Sequence, residues 1–211
     1  MDSAHAPDAH SGNRDNNGEP LDFLEDEEFE ALMAGLHIQY VTPLRDRCML
    51  ELMHKAGLRS FEVTGIRPRD IKWSEHELIV AHGKGDKWGT VALLDRTIAW
   101  LARWAEVRRH NPKLGGEWFF CTHNRAKVCT SHLRRRIIKL RQNAGLDERA
   151  HCHALRHSCA TDALAHNIDP ADVQQQMRHA RLATTLRYTH VRPRGRVDRW
   201  RRKMEGSADG Q

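Results

Sequence analysis

The chain has 211 residues, of which 34 are Lys or Arg, 28 are Asp or Glu and 39% are hydrophobic without counting glycine, for a formal charge of +6. That length carries one domain with its own core, and the composition excludes a fibrous or wholly disordered chain. No apolar run is long enough to span a bilayer, and Met1 to Asn17 is polar where a secretory signal would be apolar, so the sequence predicts a cytoplasmic protein with no membrane partner.

Charge divides sharply along the chain. Residues 1–36 hold ten acids and one base, a net of about −9, which leaves about +15 on residues 37–211. A body of that sign draws in a polyanion by counterion release, so a nucleic acid is the expected partner. Residues 1–20 have no apolar periodicity and read as a disordered acidic tail. Phe23, Leu24, Phe29, Leu32 and Met33 then follow helical spacing. A second helix runs from about Pro43, through Leu44, Cys48, Leu50, Leu52 and Met53, to a stop at Gly57, and a short third one starts after Arg59. Between about Ile71 and Leu94, Leu78-Ile79-Val80 and Trp88 to Leu93 flank Gly83-Lys84-Gly85-Asp86, which predicts a β-hairpin. A helix over 95–109, a strand at Trp118-Phe119-Phe120-Cys121 and a helix over 130–144 follow. The rest reads as helical, with breaks near 145–151, 167–170 and 191–194 and a last, arginine-rich helix from Val197 to Met204. The expected class is therefore mainly α with a small antiparallel β-sheet (α+β). Cys48, Cys121, Cys129, Cys152 and Cys159 are an odd set without paired spacing, which predicts reduced thiols.

Few of these segments carry obvious chemistry. The glycine-rich turn at Gly83 to Gly89 joins two strands, not a strand and a helix, so it is no phosphate-binding loop of the nucleotide type. It projects Lys84 from a tight turn. His153 and Arg156 are three apart on a helix and so share a face, where a guanidinium and an imidazole suit a phosphate. His153, His157 and Cys152 also raise a zinc site, but the glutamate of the HExxH pattern and a further spaced ligand are missing, so no metal is expected. Taken singly, Tyr188 reads as amphipathic packing and Arg59 as a helix-end surface arginine.

In order, however, Gly57-Leu58-Arg59-Ser60-Phe61-Glu62-Val63, the Gly83-Lys84-Gly85 turn, His153-Ala154-Leu155-Arg156-His157, and Arg178-His179 followed nine residues later by Tyr188-Thr189-His190 resemble the tyrosine recombinase, or phage integrase, family. The resemblance spans about residues 22–200, with 23 residues from Arg156 to His179. It implies the catalytic-domain fold of that family over 21–204, with a flexible tail at 205–211. It also implies an enzyme that cuts and rejoins double-stranded DNA at specific sites without cofactor, ATP or metal. By the same resemblance Tyr188 attacks the phosphate to form a 3′-phosphotyrosyl link. Arg59 and Arg156 hold the non-bridging oxygens, Lys84 protonates the leaving 5′ oxygen and His153 takes the tyrosine proton. His179 donates to the phosphate, and Glu62 braces Arg59 or His153. The family further implies a tetramer on DNA, with Val197 to Met204 docking on a neighbouring copy through Trp200.

Three departures stand out. Arg178 occupies a position where the family usually has glycine, Trp88-Gly89 stands where a further basic residue is common, and an acidic tail stands where most relatives carry a DNA-clamping domain. The last is expected either of a naturally minimal enzyme, as the fimbrial-switch invertases are, or of a piece of a longer one. Three rival functions remain at this stage: DNA relaxation of the type IB topoisomerase kind, a DNA-binding regulator that retains the fold, and a metal-dependent nuclease.

Overall fold

In the computed structural model, which describes residues 22–80, 88–179 and 181–186, the fold is organised around α2 (Val41–Lys55). Every residue of α2 from Leu44 to His54 is buried, because helices close over it on several sides. Its polar members are accommodated by pairing. Asp46, with a fully buried side chain, meets Arg45 at 3.0 Å, His132 at 3.0 Å and Arg136 at 3.3 Å, while Glu51 meets Arg96 at 2.8 Å and Arg47 at 3.4 Å. Buried charges left unpaired would carry a desolvation cost of several kcal/mol each.

Helix α1 (Asp26–Ala34) starts later than the apolar pattern predicts. Its first turn is Asp26, Glu27 and Glu28, acids that suit a helix N-terminus, and the Glu25 N–H donates to the Glu28 carboxylate at 3.0 Å. Phe23 and Leu24 therefore lie ahead of the helix, yet both are buried, and the Leu24 N–H donates to Ser158 Oγ at 2.8 Å. Helix α3 (Ser60–Thr64) is a single turn after the α2 stop.

The sheet has three antiparallel strands, not the two of the expected hairpin: β1 (Ile71–Lys72), β2 (Glu77–Val80) and β3 (Gly89–Ala92), in that order. Ile71 pairs with Leu78, and Leu78 with Val91, putting one apolar face on the core. A two-residue strand is too short for an alternation pattern to reveal. The turn carrying Lys84 lies outside the described residues.

Helices α4 (Asp95–His110) and α5 (Thr130–Asn143) match the predicted segments within a residue. The strand expected at 118–121 is absent; only a single bridge, Cys121 to Lys127, forms there. The aromatic run is instead a buried connection. The Trp104 indole donates to the Phe119 carbonyl at 2.9 Å and the Phe119 N–H to the Ile66 carbonyl at 2.8 Å. An apolar run of four residues reports burial and cannot by itself report strand pairing.

Helices α6 (Cys152–Ala165), α7 (Pro170–Met177) and α8 (Leu182–Leu186) complete the described chain. A small second core of Phe23, Ala160, Val173 and Met177 lies beneath α6 and α7. All five cysteines are free; Cys48 and Cys121 are buried and Cys129 is exposed. No helix among the described residues is long and apolar enough to cross a membrane.

Candidate active site

Five of the predicted site residues, Arg59, Glu62, His153, Arg156 and His179, converge where the α2–α3 turn, α6 and the end of α7 meet. The turn depends on Gly57, which adopts φ +67°, a conformation that costs a residue with a β-carbon about 1–2 kcal/mol. A β-carbon there would also collide with Met177 Sδ. The chain thus reverses tightly against α7 and delivers Arg59 to the N-cap of α3.

Arg156, on the second turn of α6, is 3% exposed and spans the gap between the two partners of that contact. Its Nη1 donates to the Gly57 carbonyl and its Nη2 to the Met177 carbonyl. One guanidinium therefore ties the turn that ends in Arg59 to the helix end that leads to His179. Burial foremost, then the neighbouring Arg59 and Arg178, pulls the Arg156 pKa down to about 10, which leaves it charged at neutral pH.

Glu62 lies one turn into α3 with its side chain fully buried. Its carboxylate accepts from the Arg59 backbone N–H at 2.7 Å and from Arg59 Nη1 at 3.1 Å. Glu62 is thus bonded to Arg59 through both its backbone and its side chain. Burial would raise the Glu62 carboxyl, but Arg178 and Arg59 outweigh it and hold it below the usual range.

His153 stands one turn before Arg156 and is exposed at the lip of this cluster. Partial desolvation, His151, Arg156 and Arg59 keep its imidazole below the ordinary value, so it is neutral and able to accept a proton. His179 is pushed down to about 4 by burial, then by Arg156, Arg59, His157 and Arg178. Its Nδ1 meets Thr185 Oγ1 at 2.9 Å. If the threonine hydroxyl donates, the ring proton sits on Nε2, the tautomer that can donate to a phosphate. His157, raised above as a zinc ligand, has Nδ1 on the Asp22 carbonyl at 3.1 Å, and the described residues contain no group of three metal-ligating side chains. Lys84 and Tyr188, like the 197–204 segment, lie outside the described residues.

Three residues near this cluster were not singled out for these roles. Arg178, the residue in place of the family's glycine, adopts φ +51°, ψ +48° and pairs with Glu62 at 2.5 Å. Thr185 is fully buried against His179. Gln176 uses its side-chain amide as a strand would: it accepts from the Ala92 N–H at 2.9 Å, donates to the Ala92 carbonyl at 3.0 Å and to the Ala56 carbonyl at 3.4 Å. It thereby fastens the edge strand β3 to α7. The departure from glycine flagged Arg178 in the sequence, but neither Thr185 nor Gln176 carries a sequence signal of this kind.

The net charge of the described cluster follows directly. Arg59, Arg156 and Arg178 face one carboxylate, with two histidines held neutral, so the site carries about two positive charges, suited to a phosphodiester and to the extra charge it gains during substitution at phosphorus.

The profile of the phage integrase family matches residues 22–194. Among curated proteins, the chain is 34% identical over 148 residues to the tyrosine recombinase XerC of Psychromonas ingrahamii, covering 70% of this chain and 49% of that protein. It is likewise 34% identical over 173 residues to tyrosine recombinase XerC 2 of Ralstonia nicotianae, covering 82% and 50%. Among solved structures, the XerH site-specific recombinase bound to palindromic difH substrate, in a post-cleavage complex, superposes with a TM-score of 0.73 at 26% identity over 90% of this chain and 55% of that one. The chain spans about half the length of the curated relatives it matches.

Proposed function

Because this chain belongs to the phage integrase family, we propose that it is the catalytic domain of a site-specific recombinase, breaking and rejoining DNA strands through Tyr188. The domain occupies 21–204, between an acidic tail at 1–20 and a short tail at 205–211. The Tyr188 oxygen bonds to phosphorus as the bond to the 5′ oxygen breaks. Its proton passes to His153, and Lys84 supplies one to the departing oxygen. Arg59 and Arg156 stabilise the non-bridging oxygens, His179 donates from Nε2, and Glu62 holds Arg59. The phosphotyrosyl bond conserves the energy of the broken one, so religation needs no ATP and the reaction no metal.

One observation carries this reading: Arg156 bridges the Gly57 and Met177 carbonyls, which draws Arg59, Glu62 and His179 into one cationic site. The depressed pKa of His153 suits a base, and the charge of about +15 on residues 37–211 suits a DNA partner. The enzyme acts as a tetramer on DNA in the cytoplasm, with residues 197–204 of each copy seated on a neighbour. An apolar groove of about 420 Å³, lined in part by Ala163, Ile168, Val173 and Met177, suits the Trp200 side chain of such a segment.

The test is a nicked suicide duplex, selected from a randomised pool by binding to the protein and incubated with it in chelator. A covalent protein–DNA adduct is expected, lost in Tyr188→Phe and kept in Tyr40→Phe. An adduct that survives Tyr188→Phe, or an absolute need for a divalent metal, overturns the proposal. Relaxation of supercoiled DNA at random sites by a monomer would instead identify a topoisomerase.

A further inference from the structure

Resting on the function proposed above, we infer that Arg178 is a positioning residue that takes over the Glu62 carboxylate when Arg59 turns to the phosphate. Arg178 caps α7 in the left-handed region, where glycine sits without strain and a residue with a β-carbon does not. Its side chain is only 7% exposed. Nη2 reaches Glu62 Oε2 at 2.5 Å, but Nε and Nη1 are buried with no hydrogen-bond partner among the described residues. Unmet donors on a buried cation are unfavourable, so an arrangement that satisfies them is favoured wherever one is within reach.

Glu62 offers that arrangement. Its Oε1 is held by Arg59 Nη1 at 3.1 Å and its Oε2 by Arg178, so the carboxylate is shared between two guanidinium groups of unequal freedom. Arg59 is 31% exposed and can swing outward, whereas Arg178 is enclosed. When Arg59 leaves for a phosphate, Oε1 is released and a small rotation presents both oxygens to the Arg178 fork, the paired geometry that guanidinium and carboxylate prefer. The Arg59 backbone N–H stays on Glu62 throughout, so the helix start does not move. With Arg178 absent, departure of Arg59 takes both guanidinium charges away from a buried carboxylate, and that penalty holds Arg59 back from the phosphate.

The experiment compares wild type, R178G, E62Q and E62Q/R178G. R178G suits the backbone, so loss of folding is not expected, and a thermal melt checks this. Inorganic phosphate is titrated at constant ionic strength against chloride and followed by the His179 ring NMR signals; adduct formation on the suicide duplex is measured in parallel. R178G should weaken phosphate binding by about tenfold and slow the adduct by about 10- to 100-fold. In the E62Q background, where no charge needs neutralising, the same change should alter both by less than about threefold. R178G behaving as wild type, or equal losses from R178G in the two backgrounds, overturns the inference; the second is what a merely structural role gives. The phosphate arm needs no strand cleavage. If wild type forms no adduct while that arm behaves as stated, the recombinase assignment fails and the hand-over stands.

Discussion

Gly57→Ala tests the junction that holds the site together, and its size can be worked out from two separate causes. At φ +67° an alanine incurs about 1–2 kcal/mol of backbone strain. Its β-carbon would also run into Met177 Sδ, whose displacement adds overpacking of about 1–3 kcal/mol. The sum, about 2–5 kcal/mol, lowers the melting temperature by roughly 4–20 °C for a chain of this size. Gly145→Ala separates the causes, since Gly145 has the same φ of +67° but nothing within 4 Å of the added carbon, so only the strain applies. The effect at Gly57 reaches the chemistry as well. Met177 and Gly57 both lend carbonyls to Arg156, and shifting Met177 moves the helix end that carries Arg178 and His179. Thermal melts of both variants, with adduct formation measured well below either melting temperature, should show Gly57→Ala less stable and severely slowed, and Gly145→Ala near normal in cleavage. Equal melting temperatures together with equal cleavage rates would refute the reasoning.

Other consequences are as direct. Gln176→Ala removes the amide that fastens Ala92 to α7, so hydrogen exchange at the Ala92 N–H should quicken and cleavage should slow by about tenfold. A substrate with sulfur at the 5′ bridging position, whose leaving group would not need the proton proposed to come from Lys84, should recover most of that loss; no recovery would exclude a role through the hairpin. Asp46→Ala strands Arg45 and Arg136 around an empty centre and should cost about 3–5 kcal/mol in urea unfolding, a loss below 1 kcal/mol being the refuting result. Burial first of all holds His54 at about 3, and His157 and His179 at about 4, against 6.5 in the unfolded chain. A depressed histidine pKa means that the unfolded state binds the extra protons. The associated stability is therefore complete above about pH 6.5 and lost progressively as pH falls toward 4. Urea midpoints measured from pH 7 to pH 4 should drop accordingly, with an uptake of up to three protons on unfolding; a flat profile would contradict the burial of these rings.

The sequence alone determined the long helices after Leu94 and after Cys129, the charge division and the ordered motif. Periodicity marks long amphipathic helices such as 95–109 and 130–144 because one face of each must be buried, and side-chain order along a chain survives folding unchanged. Gly57 as a stop was legible for the same local reason, whereas Arg59 taken singly read as a helix-end surface arginine and entered the site only through the resemblance. Pairings between distant segments belonged to the tertiary structure. The third strand at Ile71–Lys72 is too short to carry alternation, and Phe119 in the 118–121 run spends its backbone groups on Trp104 and Ile66, so apolarity there gave no clue that strand pairing is absent. Only the fold brought Arg178 to Glu62, 116 residues away, and Gln176 to Ala92, 84 residues away. Hydrogen bonds of that span depend on where two backbones come to lie after the core has packed, a property of the whole chain that no local run of residues contains.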